Sequence, residues 1–188
     1  MDRRRVQFVA AQLGRKPGKK QALARLLIGD DLPGGAWRVM DQRTWRTGKI
    51  GPPTPWGRRA SQAGSVTAWR SFRDTRSARW AWIQAAPMAS AEDAKSALTG
   101  AGQRGLANLH ANARSVNEAV VTVEPFVGAS AVWACEQRTE DRDGPEVVLM
   151  LAAAVGEWFI VMCLAGSPAW DWPSATQLAA LQAQRLSA

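Results

Sequence analysis

The sequence predicts an α+β fold in which a twisted antiparallel sheet of about six to seven strands has helices packed on one side. Three observations predict it. The second half of the chain contains four apolar, β-branched runs separated by turns rich in Gly, Asp and Pro. Residues 68–83 alternate aromatic and basic side chains, as a half-buried hairpin does. Two other segments carry a helix-capping signal or the apolar period of a helix.

Two regions are expected along the chain. Residues 1–31 should form a basic, partly helical arm, with a break at 15–20 and a short amphipathic helix at 21–28. Residues 32–188 should form a single α+β domain, which at this length can bury roughly 70% of its unfolded surface without a metal or a disulfide. Within that domain, residues 48–64 contain three prolines and four glycines, which predicts a long, exposed, basic loop.

Turn residues separate the arm from the first strand. The stretch at 30–37 reads D-D-L-P-G-G-A-W. Pro33 fixes φ, and Gly34 or Gly35 can adopt the positive φ that a tight turn requires. A strand should therefore begin at Trp37.

The Trp- and Arg-rich stretch that follows is predicted to be a hairpin with its loop at 74–78. This loop places Phe72 opposite Trp80 as an aromatic pair and Arg70 opposite Trp82 as a cation–π pair. The alternative for the same stretch is a nucleic-acid stacking platform, because rings stack on bases and cations contact phosphates.

The remaining elements are bounded by capping and turn signals. S-A-E-D at 90–93 has the form of a capping box, so Ser90 should cap a helix and Asp93 should reach back to it. A face of small residues continues this helix toward Leu109. The tail of the chain is predicted to be a closing helix. The four strands before that tail are predicted at 117–124, 128–137, 146–154 and 157–164.

One apolar run, residues 147–166, is about the length of a membrane span. Gly156 and Glu157 lie at its centre, where a carboxylate would cost roughly 2.5–3.5 kcal/mol in lipid and where a turn between two strands would fit. We therefore predict a β-hairpin here and no integral membrane span.

The charge is distributed unevenly. The net charge is +8, but residues 1–79 contain 18 of the 24 Lys and Arg and only 5 of the 16 Asp and Glu, whereas residues 80–188 carry a net charge of −5. A basic half can bind phosphate-rich partners, and it can equally pair with the acidic half of its own chain.

The two cysteines, Cys135 and Cys163, are too few for the disulfide framework of a small secreted protein. Both should flank the strand at 146–154, about two strand spacings or roughly 9.6 Å apart, which is too far for a disulfide. The N-terminal apolar stretch is interrupted by Gln7 and Gln12 and makes a poor signal peptide. These features predict a reducing, cytoplasmic location.

No catalytic or cofactor-binding motif stands out. G-A-G-Q-R-G at 100–105 has the spacing of a dinucleotide fingerprint, but a predicted helix precedes it where a strand is required. The stretch at 13–20 departs from a phosphate loop, and G-A-S-A-V at 128–132 lacks the last glycine of a nucleophile elbow. His110 is the only histidine. We therefore predict no enzyme activity, no cofactor and no metal.

Several stretches together resemble a known group of domains. These are D-L-P-G-G-A-W at 31–37, V-E-P-F-V-G-A-S-A-V-W at 123–133, the apolar hairpin and the final Q-L-A-A-L-Q-A-Q-R-L. Residues 25–188 resemble the actinobacterial PknH-type sensor and LpqN-like domains of the PsbP-like α+β class. The resemblance implies a twisted antiparallel sheet with helices on one side and a non-catalytic cleft for a small ligand or a partner protein. The chain departs from that pattern because no lipid-attachment cysteine and no disulfide are evident.

We predict a binding or interaction module that engages an unidentified small ligand or partner protein through a Trp-lined surface, because ten indoles cannot all be core. The expected contact residues are Trp37, Trp45, Trp56, Trp69, Arg58 and Arg59. The alternative is a nucleic-acid-binding protein with phosphate contacts from Arg3, Arg4, Arg5, Lys16, Lys19 and Lys20. Only the alternative predicts an affinity that falls steeply with salt, with a log–log slope approaching about −0.9 per neutralised phosphate.

Overall fold

The computed structural model describes residues 18–46, 66–99, 114–141 and 144–188. These residues form one seven-stranded sheet in which every neighbouring pair of strands is antiparallel. The α+β class and the antiparallel sheet are therefore confirmed. The order of strands across the sheet is β1-β2-β3-β7-β6-β5-β4. Their bounds are β1 (Trp37–Arg46), β2 (Val66–Asp74), β3 (Trp80–Pro87), β4 (Arg114–Val121), β5 (Ala131–Asp141), β6 (Gly144–Val155) and β7 (Trp158–Ala165).

Helices cover both faces of this sheet. Helices α1 (Lys19–Ala24) and α3 (Trp172–Ser187) pack on one face, whereas the short α2 (Ala91–Ser96) packs on the other. The expectation that helices lie on one side thus holds for α1 and α3 but is wrong for α2. The reason lies in the central strands β6 and β7, whose residues 148–155 and 159–165 are buried on both faces, so each face needs a cover.

The apolar run at 147–166 is a hairpin, as predicted. Val155 pairs with Trp158, which leaves Gly156 and Glu157 as the turn between β6 and β7. Gly156 has a φ of +53°, a conformation that glycine adopts without steric cost. In the described part of the chain, no helix is long and apolar enough to cross a membrane.

The cysteine spacing follows the prediction as well. Cys135 on β5 and Cys163 on β7 both pair with Met150 of β6, from opposite sides, and both thiols are buried and reduced. Burial raises the pKa of the Cys163 thiol well above its usual value, and the nearby Glu146 adds to the effect. The two thiols therefore belong to the core and form no disulfide.

The Trp- and Arg-rich hairpin forms, but its predicted register is wrong by one residue. Phe72 lies opposite Ala81 and Arg70 lies opposite Ile83, so neither the aromatic pair nor the cation–π pair with Trp82 exists. A slip of one residue moves side chains to the opposite face of the sheet. The loop is shorter than predicted because the Asp74 amide donates to the Arg79 carbonyl at 3.0 Å, which leaves residues 75–78 as the turn.

The side chain of Asp74 holds this turn. Its carboxylate accepts hydrogen bonds from the Ser77 hydroxyl at 2.6 Å, the Arg76 amide at 3.0 Å and the Ala36 amide at 3.2 Å. These bonds, led by the one from Ser77, lower the pKa of Asp74 below its usual value, although desolvation opposes them. The Ala36 amide precedes β1, so the contact also ties the start of β1 to the turn.

A lowered pKa predicts a loss of stability in acid. A carboxylate whose folded pKa is depressed stabilises the fold above its unfolded pKa of about 3.9, and this contribution disappears as the pH falls through the lower folded value. We expect Asp74→Asn to lower the melting temperature at pH 6 and to flatten its decline between pH 4 and pH 2. The control is Asp30→Asn, which removes an exposed carboxylate. Parallel acid limbs for wild type and Asp74→Asn would contradict the assignment.

The helix-capping prediction is confirmed at α2. The Ser90 hydroxyl accepts from the Asp93 amide at 3.1 Å and donates to the Asp93 carboxylate at 2.9 Å. The helix ends at Ser96. Residues 100–113, which include the glycine motif at 100–105 and His110, lie outside the described residues.

The residues after α1 are bound to the sheet and to α3 by buried polar side chains. Arg70 of β2 donates to the carbonyl of Leu27 at 2.6 Å and to that of Leu23 at 3.1 Å. Gln182 of α3 is fully buried, accepts from the Leu27 amide at 3.0 Å and donates to the Arg25 carbonyl at 2.8 Å. This segment therefore shares the core under α3.

Candidate ligand-binding cleft

The connection between β4 and β5 leaves the sheet and lies against α3. We predicted strands at 117–124 and 128–137, but β4 ends at Val121 and β5 begins at Ala131. Pro125 cannot donate to a strand ladder, and Gly128 has a φ of +91° that turns the chain back. A Cβ atom at Gly128 would lie 3.5 Å from the Cβ atom of Ala183 in α3, so the turn is in contact with the helix.

A cleft of about 660 Å³ opens between this connection and α3. Residues 121–127 form one wall, and within it Phe126 is buried while Val127 is 81% exposed at the rim. The size falls in the range of roughly 300–1,000 Å³ that is typical of small-molecule sites. The opposite wall consists of side chains from the first half of α3, namely Trp172, Pro173, Thr176, Gln177 and Ala180.

Most of the lining is apolar, and its polar groups are few. The Thr176 hydroxyl donates to the Trp172 carbonyl at 2.8 Å, so this hydrogen bond is already made within the helix. Among the described residues that line the cleft, Glu124 has the only charged side chain. A lining whose described residues include one carboxylate and no Lys or Arg favours an uncharged or cationic apolar ligand and disfavours an anion.

The orientation of α3 fixes this wall. The Asp171 carboxylate accepts from the Ser174 amide at 2.7 Å and caps the helix, and Pro173 lies in the first turn, where no amide donor is needed. Hydrogen bonding by the Ser174 side chain, and then by its amide, lowers the pKa of Asp171 below its usual value, although desolvation opposes the shift. The capped first turn therefore holds Trp172 at the mouth of the cleft.

The structure does not bring the predicted tryptophans together. Trp45 and Trp69 lie on the sheet face that α2 covers, where the Arg43 guanidinium stands 5.9 Å from the centre of the Trp69 ring. Trp37 lies on the opposite face, in the core under α1 and α3. Three of the predicted contact residues, Trp56, Arg58 and Arg59, lie outside the described residues.

Trp37 belongs to a packed stack. Its ring centre lies 5.5 Å from that of Trp170, and its indole N–H donates to the Pro33 carbonyl at 3.3 Å. The Arg79 guanidinium stands 3.7 Å from the centre of the Trp170 ring. Burial lowers the pKa of Arg79, while Asp74 and Asp171 oppose that shift. These ring and guanidinium contacts stabilise the fold. Trp37 also lines a second, more polar concavity.

The structure describes two of the six residues that were predicted to contact phosphate. Lys19 and Lys20 lie exposed in the first turn of α1. Arg3, Arg4, Arg5 and Lys16 lie outside the described residues.

Sequence reasoning missed the cleft because it treated residues 123–124 as the end of a strand and residues 125–127 as a simple turn before the next strand. A signal was present in that stretch. Pro125 interrupts a strand, and the apolar Phe126 and Val127 follow it in a connection that would otherwise be polar. An apolar connection between strands indicates a contact with another element, which here is α3.

Comparison with known proteins finds similarity at the level of structure only. No protein-family model matches the chain, and no curated protein matches it. The extracellular domain of PknH from Mycobacterium tuberculosis has a similar structure, with a TM-score of 0.57 and 11% sequence identity over 93% of this chain and 98% of that chain. A putative uncharacterized protein from Mycobacterium smegmatis, the Rv0999 ortholog, has a TM-score of 0.46 and 8% identity over 82% of this chain and 91% of that one. The chain therefore has a PknH-like fold.

The predicted cytoplasmic location is contradicted by this likeness, because the similar fold is that of an extracellular domain. The prediction relied on the small number of cysteines. The structure shows why that argument fails, since apolar side chains on both faces of β6 and β7 form a large core without a disulfide.

Proposed function

We propose that this chain, which shares its fold with the extracellular domain of PknH, is a non-catalytic binding domain that works outside the cell. Its ligand is an uncharged or cationic apolar small molecule, held between residues 121–127 and the first half of α3. The proposal includes a relationship to the LpqN-like domains, which the sequence resembles.

The lining of the cleft carries this proposal. An open, mostly apolar wall on the protein surface is costly in water unless something covers it, and burying apolar area contributes roughly 25 cal/mol per Å². Val127 at the rim exposes 81% of its surface, and Val120 on the adjoining edge strand exposes 71%. A bound apolar molecule would remove such surface from water.

The same lining supports binding rather than catalysis. A nucleophilic or general acid–base mechanism needs at least two polar side chains within hydrogen-bonding reach of each other. In the part of the chain that the structure describes, the cleft lining contains no His, Cys, Lys or Ser, and the Thr176 hydroxyl is bonded to its own helix. Thr122 and Gln177 are the other polar side chains among the described lining residues, and neither is hydrogen-bonded to Glu124.

A variant that fills the cleft tests the proposal. We expect the wild-type protein to bind the uncharged apolar probe N-phenyl-1-naphthylamine, and Ala180→Phe to weaken that binding at least about tenfold, because the new ring occupies the cleft. Fluorescence titration measures the affinity. Chemical-shift changes confined to residues 121–127 and the first half of α3 should locate the probe.

Gln184→Phe provides the matched control. Gln184 lies one turn beyond Ala180 on the same side of α3, is exposed and does not line the cleft. Its substitution should leave the probe affinity unchanged. If Ala180→Phe binds the probe as tightly as the wild type, or if the shifts appear elsewhere, the cleft is not the binding site.

A further inference from the structure

The arginines of the described region fall into two groups. Most have a partner: Arg43 pairs with Asp41, Arg70 bonds to backbone carbonyls, Arg79 stacks on Trp170, and Arg185 pairs with Asp31 at 2.8 Å. The guanidinium groups of four exposed arginines make no ion pair, hydrogen bond or ring contact with a described residue, namely those of Arg38, Arg46, Arg73 and Arg76.

Three of these four lie at one corner of the sheet. Arg38 on β1 is directly opposite Arg73 on β2, so the two side chains share one face. Their Cβ atoms are therefore roughly 4.5–5.5 Å apart, and like charges in this position destabilise a sheet. Arg76 lies in the turn just after β2.

The register of β1 against β2 creates this pair, and the register of β2 against β3 places an aromatic ring beside it. The predicted loop would have put Arg73 opposite Arg79 at the tip of the hairpin, but Arg73 instead has Trp80 as its neighbour on β3 and Arg38 as its neighbour on β1. The Trp80 indole donates to the Glu146 carboxylate at 2.9 Å. Arg73 thus lies between Trp80, whose ring is fixed by its hydrogen bond to Glu146, and Arg38.

No carboxylate near this corner forms an ion pair with Arg38, Arg73 or Arg76 among the described residues. Both oxygens of Asp74 already accept hydrogen bonds from the turn and from Ala36. Asp41 is paired with Arg43. Asp30 is exposed and lines, with Arg38, a polar concavity of about 460 Å³, but it makes no ion pair with Arg38.

We propose that Arg38 and Arg73 form a clamp for a phosphate group, with Arg76 as a third donor. A guanidinium presents a planar fork of donors that matches the oxygens of phosphate, and two forks on adjacent strands can hold one tetrahedral anion from two sides. The ligand is either a soluble phosphate ester or the headgroup of an anionic phospholipid. This site is separate from the cleft, where the anionic Glu124 is the only charged residue of the described lining.

Inorganic phosphate at constant ionic strength tests the clamp. We expect phosphate to raise the melting temperature of the wild-type protein relative to sodium chloride, and to shift the side-chain NMR signals of Arg38 and Arg73. Arg38→Gln and Arg73→Gln should each weaken phosphate binding about tenfold. The control is Arg46→Gln, because Arg46 lies on the same strand as Arg38, is exposed and has no described partner, yet sits at the other end of β1.

Two further measurements complete the test. Without phosphate and at low salt, Arg73→Gln should be at least as stable as the wild type, because it removes a like-charge pair. Vesicles of phosphatidylcholine with phosphatidic acid distinguish the two sources of phosphate: binding to these vesicles but not to glycerol phosphate supports the lipid headgroup, and the reverse supports a soluble ester.

Three results would overturn the clamp. They are phosphate binding that survives in the Arg38→Gln and Arg73→Gln variants, an equal loss in Arg46→Gln, and binding of single-stranded DNA that all three substitutions weaken alike. The last result would indicate a diffuse basic surface. It would not affect the proposal that the cleft binds an apolar ligand.

Discussion

Gly166→Ala should destabilise the folded chain by about 4 kcal/mol, a cost that combines backbone strain with a steric clash. Gly166 has a φ of +105°, which side chains rarely adopt. An added Cβ atom would lie 2.6 Å from the Cα atom of Arg79 and 2.8 Å from the carbonyl carbon of Ala78.

The neighbouring backbone cannot move aside cheaply. The Ala78 amide donates to the Ser167 carbonyl at 3.1 Å, and Trp80 pairs with Ala165 in the sheet. Moving the hairpin tip away from Gly166 would therefore break contacts on both sides of it. Urea denaturation gives the free energy of unfolding for comparison with the wild type.

Gly156→Ala separates the two parts of this cost. Gly156 also has a positive φ, +53°, but no atom lies within 4 Å of an added Cβ. We expect a loss of only about 1–2 kcal/mol, from backbone conformation alone. If the two variants lose equal stability, the close approach of Gly166 to the hairpin tip does not contribute.

Gln182→Met should cost about 2–4 kcal/mol, because it leaves two buried backbone groups without a hydrogen bond. The Gln182 side chain has 0% exposure and bonds to the Leu27 amide and the Arg25 carbonyl. Methionine has a similar length but can neither accept a hydrogen bond from the Leu27 amide nor donate one to the Arg25 carbonyl. The segment that follows α1 then loses these two hydrogen bonds to α3 and keeps the ion pair between Asp31 and Arg185.

Gln184→Met is the matched control for this substitution. Gln184 lies on the same helix, is exposed, and should change stability by less than about 0.5 kcal/mol. Hydrogen exchange gives a local measurement, since the Leu27 amide should exchange faster in Gln182→Met than in either other protein. Unchanged protection of Leu27 would show that its hydrogen bond is not maintained by Gln182.

The local sequence pattern was sufficient to predict the hairpin of β6 and β7 and the helix cap at Ser90. A turn at Gly156 and Glu157 follows from their position in the middle of an apolar run, and the pairing of Cys163 with Met150 follows once that turn is fixed. The Ser90 cap depends only on residues within one helical turn. Each of these features is set by neighbours in the chain.

The candidate site could not be predicted in the same way. Its two walls, residues 121–127 and the first half of α3, are far apart in sequence and meet only when both pack on the sheet. The predicted tryptophans were chosen by residue type, but the register of β1 and β2 places Trp37 on one face and Trp45 and Trp69 on the other. Residue type does not specify the face.

The sequence by itself determined the α+β class, the antiparallel sheet and the reversal at Gly156, because side-chain periodicity and turn residues act over short distances. Only the tertiary structure decided the register of β2 against β3, where the Asp74 carboxylate joins its own turn to Ala36. It also decided that the chain from Val121 to Ala131 lies on α3. Both depend on contacts between distant segments, whose energies no local pattern contains.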